Sequence, residues 1–404
     1  VAVRPYNPEG IQFIDTIKIV SNRKTLAVNE TQQIEFSEPP SHFALSNYHL
    51  GDVAHSLDVP CDQETIDCEA GMASGAAIFP IKAGEGGACS LTIPIASSRE
   101  APVSVGLEWE DRLAHTATLK LPDAAEQTQY ERSLQTLAQL SPGDIFPGPY
   151  TYRRFWFRDA CLIAHALLRT GQEPACRRAL ELFPGRQTRD GYFLSQEGEW
   201  DSNGQVLWIY DLYERLTGKQ IPEACFNSIK PAIKWITRKR CDAEGQPHHG
   251  LLPAGFSAEH FGPNDFYYWD DFWAVGGLKA AQSLLERHGI AHTANVARGL
   301  ANKMLRSIEN SLEQLGSRKA KGHLPASPYR RMDSGAIGSL VADYPLQIWP
   351  AGDSRVMATA SFLDKNCLVD GAFFQDMIHS GLNIYLTLDL AQTFLRAGDP
   401  RWQP

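Results

Sequence analysis

The period of the hydrophobic pattern changes once, near residue 122, and that change divides the chain into two unlike halves. Before it, apolar and polar residues alternate in "IDTIKIV" (14–20), "QQIEF" (32–36), "CSLTIPIA" (89–96), "VSVGLEWE" (103–110) and "AHTATLKL" (114–121), separated by Gly, Pro, Asn and Asp clusters. Alternation puts successive side chains on opposite faces of a strand, so each segment has one buried and one wet face. Short strands with turn residues between them predict an antiparallel β-sandwich over residues 1–121. After "LPDAAEQ", where Asp123 is placed to cap a helix, the spacing turns helical for the remainder, residues 122–404.

Helices are predicted over roughly 124–140, 159–170, 173–183, 202–217, 222–240, 268–288, 291–315, 335–343, 353–365 and 383–397. The 222–240 segment carries a polar stripe, whereas 159–170 and 383–397 are apolar nearly all round, a pattern that predicts outer and inner helices in two layers. A length of 404 residues exceeds the usual size of a single core and fits two domains.

Apolar residues make up 43% and charged residues 21% of the chain, with no uninterrupted apolar run near the ~18 residues of a membrane span, so a soluble protein is expected. Thirty-eight basic and 47 acidic residues leave a formal charge of -9. With no basic stripe to neutralise phosphates, a nucleic-acid partner is excluded, and "TRKRCD" (237–242) reads as a helix C-terminus. Eight cysteines lie scattered without CxxC or Cys/His spacing, so neither zinc nor another metal or cofactor is expected. Buried thiols fit a reducing cytoplasm, although Cys61 and Cys68 flank a short polar loop and are able to pair after export. The opening "VAVRPYNPEG" reads as mid-strand, an expectation of missing first strands that leaves a secreted or periplasmic origin open.

Three long loops end in one composition where a helix begins: "RRFWFRD" (153–159), "GEWDSNGQ" (198–205) and "FYYWDD" (266–271), with a tryptophan-free counterpart in "YRRMDSG" (329–335). Helix capping accounts for the aspartates but not for Trp156, Trp200 and Trp269 beside them. Indole faces stack on the apolar faces of sugar rings, and Arg and carboxylates grip hydroxyls, so the mixture points to a carbohydrate ligand.

"FWFRDACLIAHALLRTG" (155–171) resembles the first signature of the six-hairpin glycosidases, in particular the glucoamylase-like and bacterial amylo-α-1,6-glucosidase-like enzymes. "FYYWDDFWAVGGLKAA" (266–281) is similar to the family segment that supplies the general acid, and "LPASPYRRMDSGAIGSL" and "DGAFFQDMIHSGLNIYLTLDLAQTFLRAGDPRW" are similar to later segments. The resemblance implies an (α/α)6 toroid behind the sandwich, incomplete at both ends, and a glycoside hydrolase, inverting and exo-acting on glucosidic linkages. It implies Asp270 as general acid, with Asp271 the next candidate, and a sugar clamp from Trp156, Arg158 and Asp159. Trp200, Asp201, Asn203, Gln205, Tyr268, Trp269, Arg331 and Asp333 would complete the substrate site. Partial burial among Phe266, Tyr267, Tyr268 and Trp269 is expected to raise the Asp270 pKa towards working pH.

Two departures from the family pattern matter. Asp at the acid position is closer to the trehalase-like branch than to the glucoamylase-like one, so substrate identity does not transfer. The family's catalytic base would follow "LRAGDPRWQP", so residues 1–404 alone are expected to turn over little. Two alternatives stay open: a carbohydrate-binding toroid without chemistry, and a polysaccharide lyase or epimerase with His260 or Tyr268 as base.

Overall fold

The computed structural model describes residues 1–7, 10–21, 23–80, 88–94, 113–148, 152–256, 264–315, 322–375 and 381–402. The chain forms two compact units, Val1–Leu107 and Glu108–Pro404.

The first unit is built from β1 (Ala2–Val3), β2 (Tyr6–Asn7), β3 (Gly10–Ile11), β4 (Thr16–Val20), β5 (Thr25–Val28), β6 (Gln32–Phe36), β7 (His42–Ser46), β8 (Thr65–Asp67), β9 (Ser74–Ile78) and β10 (Leu91–Thr92). A five-stranded antiparallel sheet runs β10-β6-β5-β4-β8, and a three-stranded one runs β1-β9-β7. Register follows the alternation: Ile17 opposes Val28 and Ile19 opposes Leu26, all four buried, while Lys18 between them is exposed. Phe36, Phe43, Leu45, Ile66 and Ala77 close the core from both sheets, which pack as a sandwich. All eight cysteines of the chain are free thiols, Cys61 and Cys68 among them.

Two expected strands turn out differently. "VSVGLEWE" lies outside the described residues, and residues 114–121 form no strand. That segment belongs to the second unit, where Ala117 N–H donates to the Thr170 carbonyl and the Tyr130 hydroxyl donates to the Ala117 carbonyl.

The second unit holds α1 (Ala124–Leu140), α2 (Phe157–Arg169), α3 (Glu173–Leu182), α4 (Ser202–Thr217), α5 (Glu223–Lys239), α6 (Tyr268–Arg287), α7 (Ala291–Glu313), α8 (Ser354–Cys367) and α9 (Ile384–Ala397). Asp123 caps α1 by accepting from Ala125 and Glu126 N–H, as its position before the helical pattern suggests. The predicted helix at 335–343 is instead a 3-10 segment, Ser334–Ala342, in which Gly335 and Gly338 weaken α-helical propensity and Asp333 caps the tighter turn. A two-stranded hairpin, β11 (Leu368–Val369) and β12 (Ala372–Phe373), follows α8. No helix among the described residues is long and apolar enough to cross a membrane.

The two most enclosed helices are α4, buried without a break from Ser202 to Glu214, and α6, buried from Tyr268 to Leu278. Glycine permits this. A Cβ on Gly204 would lie 2.2 Å from the Trp273 carbonyl oxygen, and one on Gly277 would lie 2.3 Å from the Gly204 carbonyl oxygen, so the two backbones touch. Towards their C-terminal ends, Arg287 Nη1 donates to Asp211 Oδ1 at 2.8 Å and ties α6 to α4 again. The apolar composition of α9 does not enclose it. Leu386, Leu390 and Phe394 are buried, but Ile384 is 76% and Leu388 53% exposed, because described residues cover only one of its faces.

Gly204→Ala and Gly277→Ala should each destabilise the helical unit by about 3 kcal/mol or more, since the clash is with backbone and no side chain is free to yield. Gly299→Ala in α7, where a Cβ meets open space, should instead stabilise by up to about 1 kcal/mol. Denaturant unfolding of the three variants checks the contrast.

Candidate active site

The α4–α6 contact brings together two helix N-termini, and α2 contributes a third. The first turns carry Arg158 and Asp159 on α2, with Asp270 and Asp271 on α6, and Asp201 at the N-cap of α4. Acidic side chains are favoured there by the partial positive charge of the free N–H groups. Capping does not explain them, however. Asp123, Asp333 and Asp353 each accept a backbone N–H at their helix starts, whereas Asp201 at its N-cap makes no side-chain cap bond.

Asp201 is spent across the helices instead. Its Oδ2 accepts from Arg158 Nε at 2.8 Å, from Trp269 Nε1 at 2.7 Å and from Gln205 Nε2 at 2.9 Å. The Arg158 guanidinium also lies 3.6 Å from a Glu199 carboxylate oxygen and 5.7 Å from the centre of the Trp269 ring. Arg158, Glu199, Asp201, Gln205 and Trp269 are all buried.

Asp270 occupies the centre of this charge distribution. It is 1% exposed, enclosed rather than partly buried as the sequence suggests. Neither of its carboxyl oxygens has a hydrogen-bond partner among the described residues. Burial pushes its pKa well above the usual carboxylate range; Asp201, Asp271 and Glu199 push it further, against a smaller opposing pull from Arg158. With Arg158 already neutralised by Asp201 and Glu199, an additional buried negative charge is unfavourable, so Asp270 holds its proton. Asp159, half-buried, is also raised by burial and by Asp201, with Arg158 opposing.

Asp271 faces a different environment. Its Oδ1 accepts the Leu252 N–H at 2.9 Å and thereby fixes the loop before α6, while burial pushes its pKa up to about 8 against the lowering influence of that bond and of Arg240.

The other expected site residues make these contacts. Trp200 packs against Tyr192 and Trp235 with Lys239 Nζ 3.9 Å over its ring. Asn203 stitches backbone, accepting from Phe193 N–H and donating to the Gly191 and Ala232 carbonyls. Tyr268 shares a hydrogen bond with Ser311, and burial pushes its phenol well above the ordinary value, which weakens it as a base. Trp156 is half-buried beside Tyr152 and Arg154. Arg331 is exposed; Arg330 is the partly buried arginine, paired with Asp333 at 2.8 Å and hydrogen-bonded to the Tyr267 phenol. Asp333 itself caps the 3-10 segment. His260 lies outside the described residues.

Glu199 and Arg330 are the members that sequence reasoning passes over. A signal for Glu199 exists, since a buried Arg158 flanked by several acids requires counter-charge and "GEWD" offers two acids one residue apart. Among the described residues, no group of three or more His, Cys, Asp or Glu side chains is arranged to hold a metal ion.

No family model matches the chain, and no curated protein matches it. Solved structures do. A bacterial glucoamylase complexed with acarbose is similar over 99% of this chain and 69% of its own, with a TM-score of 0.58 at 12% identity. A rhamnosidase from Klebsiella oxytoca with rhamnose bound is similar over 98% of this chain and 84% of its own, with a TM-score of 0.50 at 12% identity. A glycosidase point variant is similar over 69% of this chain and 82% of its own, with a TM-score of 0.50 at 17% identity. The chain therefore shares the fold of these glycosidases, a β-sheet region followed by a helical body.

The raised carboxyls have a consequence for stability. Below about pH 4 the folded and unfolded chains both hold the Asp271 proton; between about 4 and about 8 only the folded chain keeps it. Stability therefore falls as pH rises through that window, by up to about 1.4 kcal/mol per pH unit for each such group, and Asp270 acts in the same direction. Unfolding free energies between pH 5 and pH 8 should decline in the wild type and decline less in Asp271→Asn, which keeps the Leu252 acceptor. Equal slopes would contradict the assignment.

Proposed function

We propose that the chain is a glycoside hydrolase acting on oligo- or polysaccharides, exo-acting on glucosidic linkages, with Asp270 as general acid. The observation that carries this reading is a fully buried carboxyl with no hydrogen-bond partner among the described residues, its pKa raised by burial and by the excess negative charge of the Arg158–Asp201–Glu199 group. Buried polar atoms in structural roles are nearly always paired. A buried acid left unpaired and protonated is equipped to give its proton to a leaving oxygen.

In this reading the second unit, Glu108–Pro404, has an (α/α)6-type toroidal fold and follows a β-sandwich in the chain, and the three converging helix starts line its sugar site. Arg158, Asp159 and Trp156 hold the hydroxyls and face of the non-reducing-end ring. Asp201 fixes the Arg158 fork and the Trp269 indole in one orientation through its shared oxygen. Fixing both before substrate arrives lowers the ordering cost of binding and of reaching the transition state. Inversion needs a second carboxylate roughly 6.5–9.5 Å from the acid to activate water. Glu199 and Asp201 are both engaged by Arg158, so neither is assigned that role. A lyase or epimerase reading draws less support, since Tyr268 is held neutral and bonded to Ser311.

Asp270→Asn should lower hydrolysis of a natural oligosaccharide by roughly 10²–10⁴-fold, since the amide keeps the shape but delivers no proton. Hydrolysis of an aryl glycoside with an activated leaving group should fall far less. Asp159→Asn should weaken both substrates alike. Equal losses on the two substrates for Asp270→Asn would remove it from the acid role.

A further inference from the structure

The first turn of α6 organises more than the acid. Two residues before the helix, Phe266 stacks on the His248 ring with centroids 4.0 Å apart and planes inclined by 19°. Tyr329 completes the group, 5.8 Å from both rings, its hydroxyl hydrogen-bonded to His248 Nδ1. His248 and Phe266 belong to the connection between α5 and α6 and Tyr329 to the one after α7, and both connections are tied to the start of α6. Asp271 holds the loop of His248 through Leu252 N–H. The Ser327 hydroxyl donates to Asp265, and Tyr268 N–H donates to the Ala326 carbonyl, which together hold the loop of Tyr329. Arg330 and the Tyr267 phenol add a further bond between that loop and the helix start.

Aromatic clusters of this size are normally core, yet Tyr329 is 42% exposed, and His248 and Phe266 are only half-buried. A rigid, partly exposed aromatic surface is suited to the apolar face of a sugar ring. Phe266 is four residues from Asp270, a span of at most about 14 Å of chain, within the length of a short oligosaccharide.

We infer that His248, Phe266 and Tyr329 form a platform for a sugar ring on the leaving-group side of the scissile bond. The inference rests on Asp270 as general acid: an acid protonates the oxygen of the departing sugar, so the surface beside it meets that sugar. The Arg158–Asp201–Trp269 group then serves the ring on the other side of the bond. Asp271 becomes a positioning residue that holds the platform loop, distinct in task from its neighbour.

The test compares Tyr329→Ala and Tyr329→Phe on α-linked gluco-oligosaccharides from disaccharide to hexasaccharide, and on α-glucosyl fluoride, with calorimetric binding measured in parallel. Tyr329 is partly exposed, so both variants are expected to fold. Tyr329→Ala should raise KM for the oligosaccharides, the disaccharide included, by about two- to tenfold, with far less change for α-glucosyl fluoride, whose leaving group has no ring to stack. Tyr329→Phe, which keeps the ring, should retain most of the wild-type preference for length. Losses absent at every length, or as large on α-glucosyl fluoride as on the oligosaccharides, in a wild type that does hydrolyse these substrates would overturn the platform and leave the hydrolase reading intact. Binding that depends on length and on Tyr329 in a wild type that hydrolyses nothing would support the platform as a saccharide site and overturn the hydrolase reading. Neither binding nor hydrolysis would overturn both.

Discussion

The helical unit is organised by the backbone contact between α4 and α6 at Gly204 and Gly277. With side chains at that crossing the helices would stand apart by the ordinary 8–10 Å of helix packing, and the groups at their N-termini would lose reach of one another. Because the glycines remove that spacing, a single Asp201 oxygen takes hydrogen bonds from α2 through Arg158 and from α6 through Trp269. Three helix starts are thereby locked to one atom. The ion pair between Arg287 and Asp211 towards the other end of the same two helices keeps the crossing in register.

That lock sets the electrostatics. Arg158 is the buried cation of the cluster, and Asp201 and Glu199 already answer its charge. Asp270 is therefore enclosed with no counter-charge of its own, and keeping the proton costs less than burying the anion. The proposed function draws on this surplus. A carboxylic acid that stays protonated at neutral pH is what protonation of a poor leaving group requires, and the low local dielectric strengthens every charge interaction around it.

Much of this was legible in the sequence because it rests on periodicity. The bounds of α1, α4 and α9 follow the helical spacing, and the sandwich strands β4 and β6 follow the alternation. Periodicity says nothing about register in irregular loops, which is why "YRRMDSG" suggests Arg331 when Arg330 turns inward. Composition was similarly blind to partners. Trp200 shares its motif with Asp201, but its ring is consumed by Trp235 and Lys239. Asn203, on the same turn, is consumed by backbone. An all-apolar pattern also marked α9 as enclosed, whereas glycine at the crossing decided that α4 and α6 are. Gly204, and Gly277 in its Gly276–Gly277 pair, stand inside helical patterns, but a glycine in a helix does not by itself name the helix it meets.

The central claim is that Asp270 carries a proton at neutral pH. Infrared spectroscopy reads this directly, because a protonated carboxyl and a carboxylate absorb at different frequencies. Spectra of the wild type and of Asp270→Asn at pH 7 should differ by one protonated carboxyl, present in the wild type and missing in the variant. A wild-type spectrum in which that group titrates with the ordinary carboxylates, leaving the two proteins alike in protonated carboxyl at pH 7, would contradict the account.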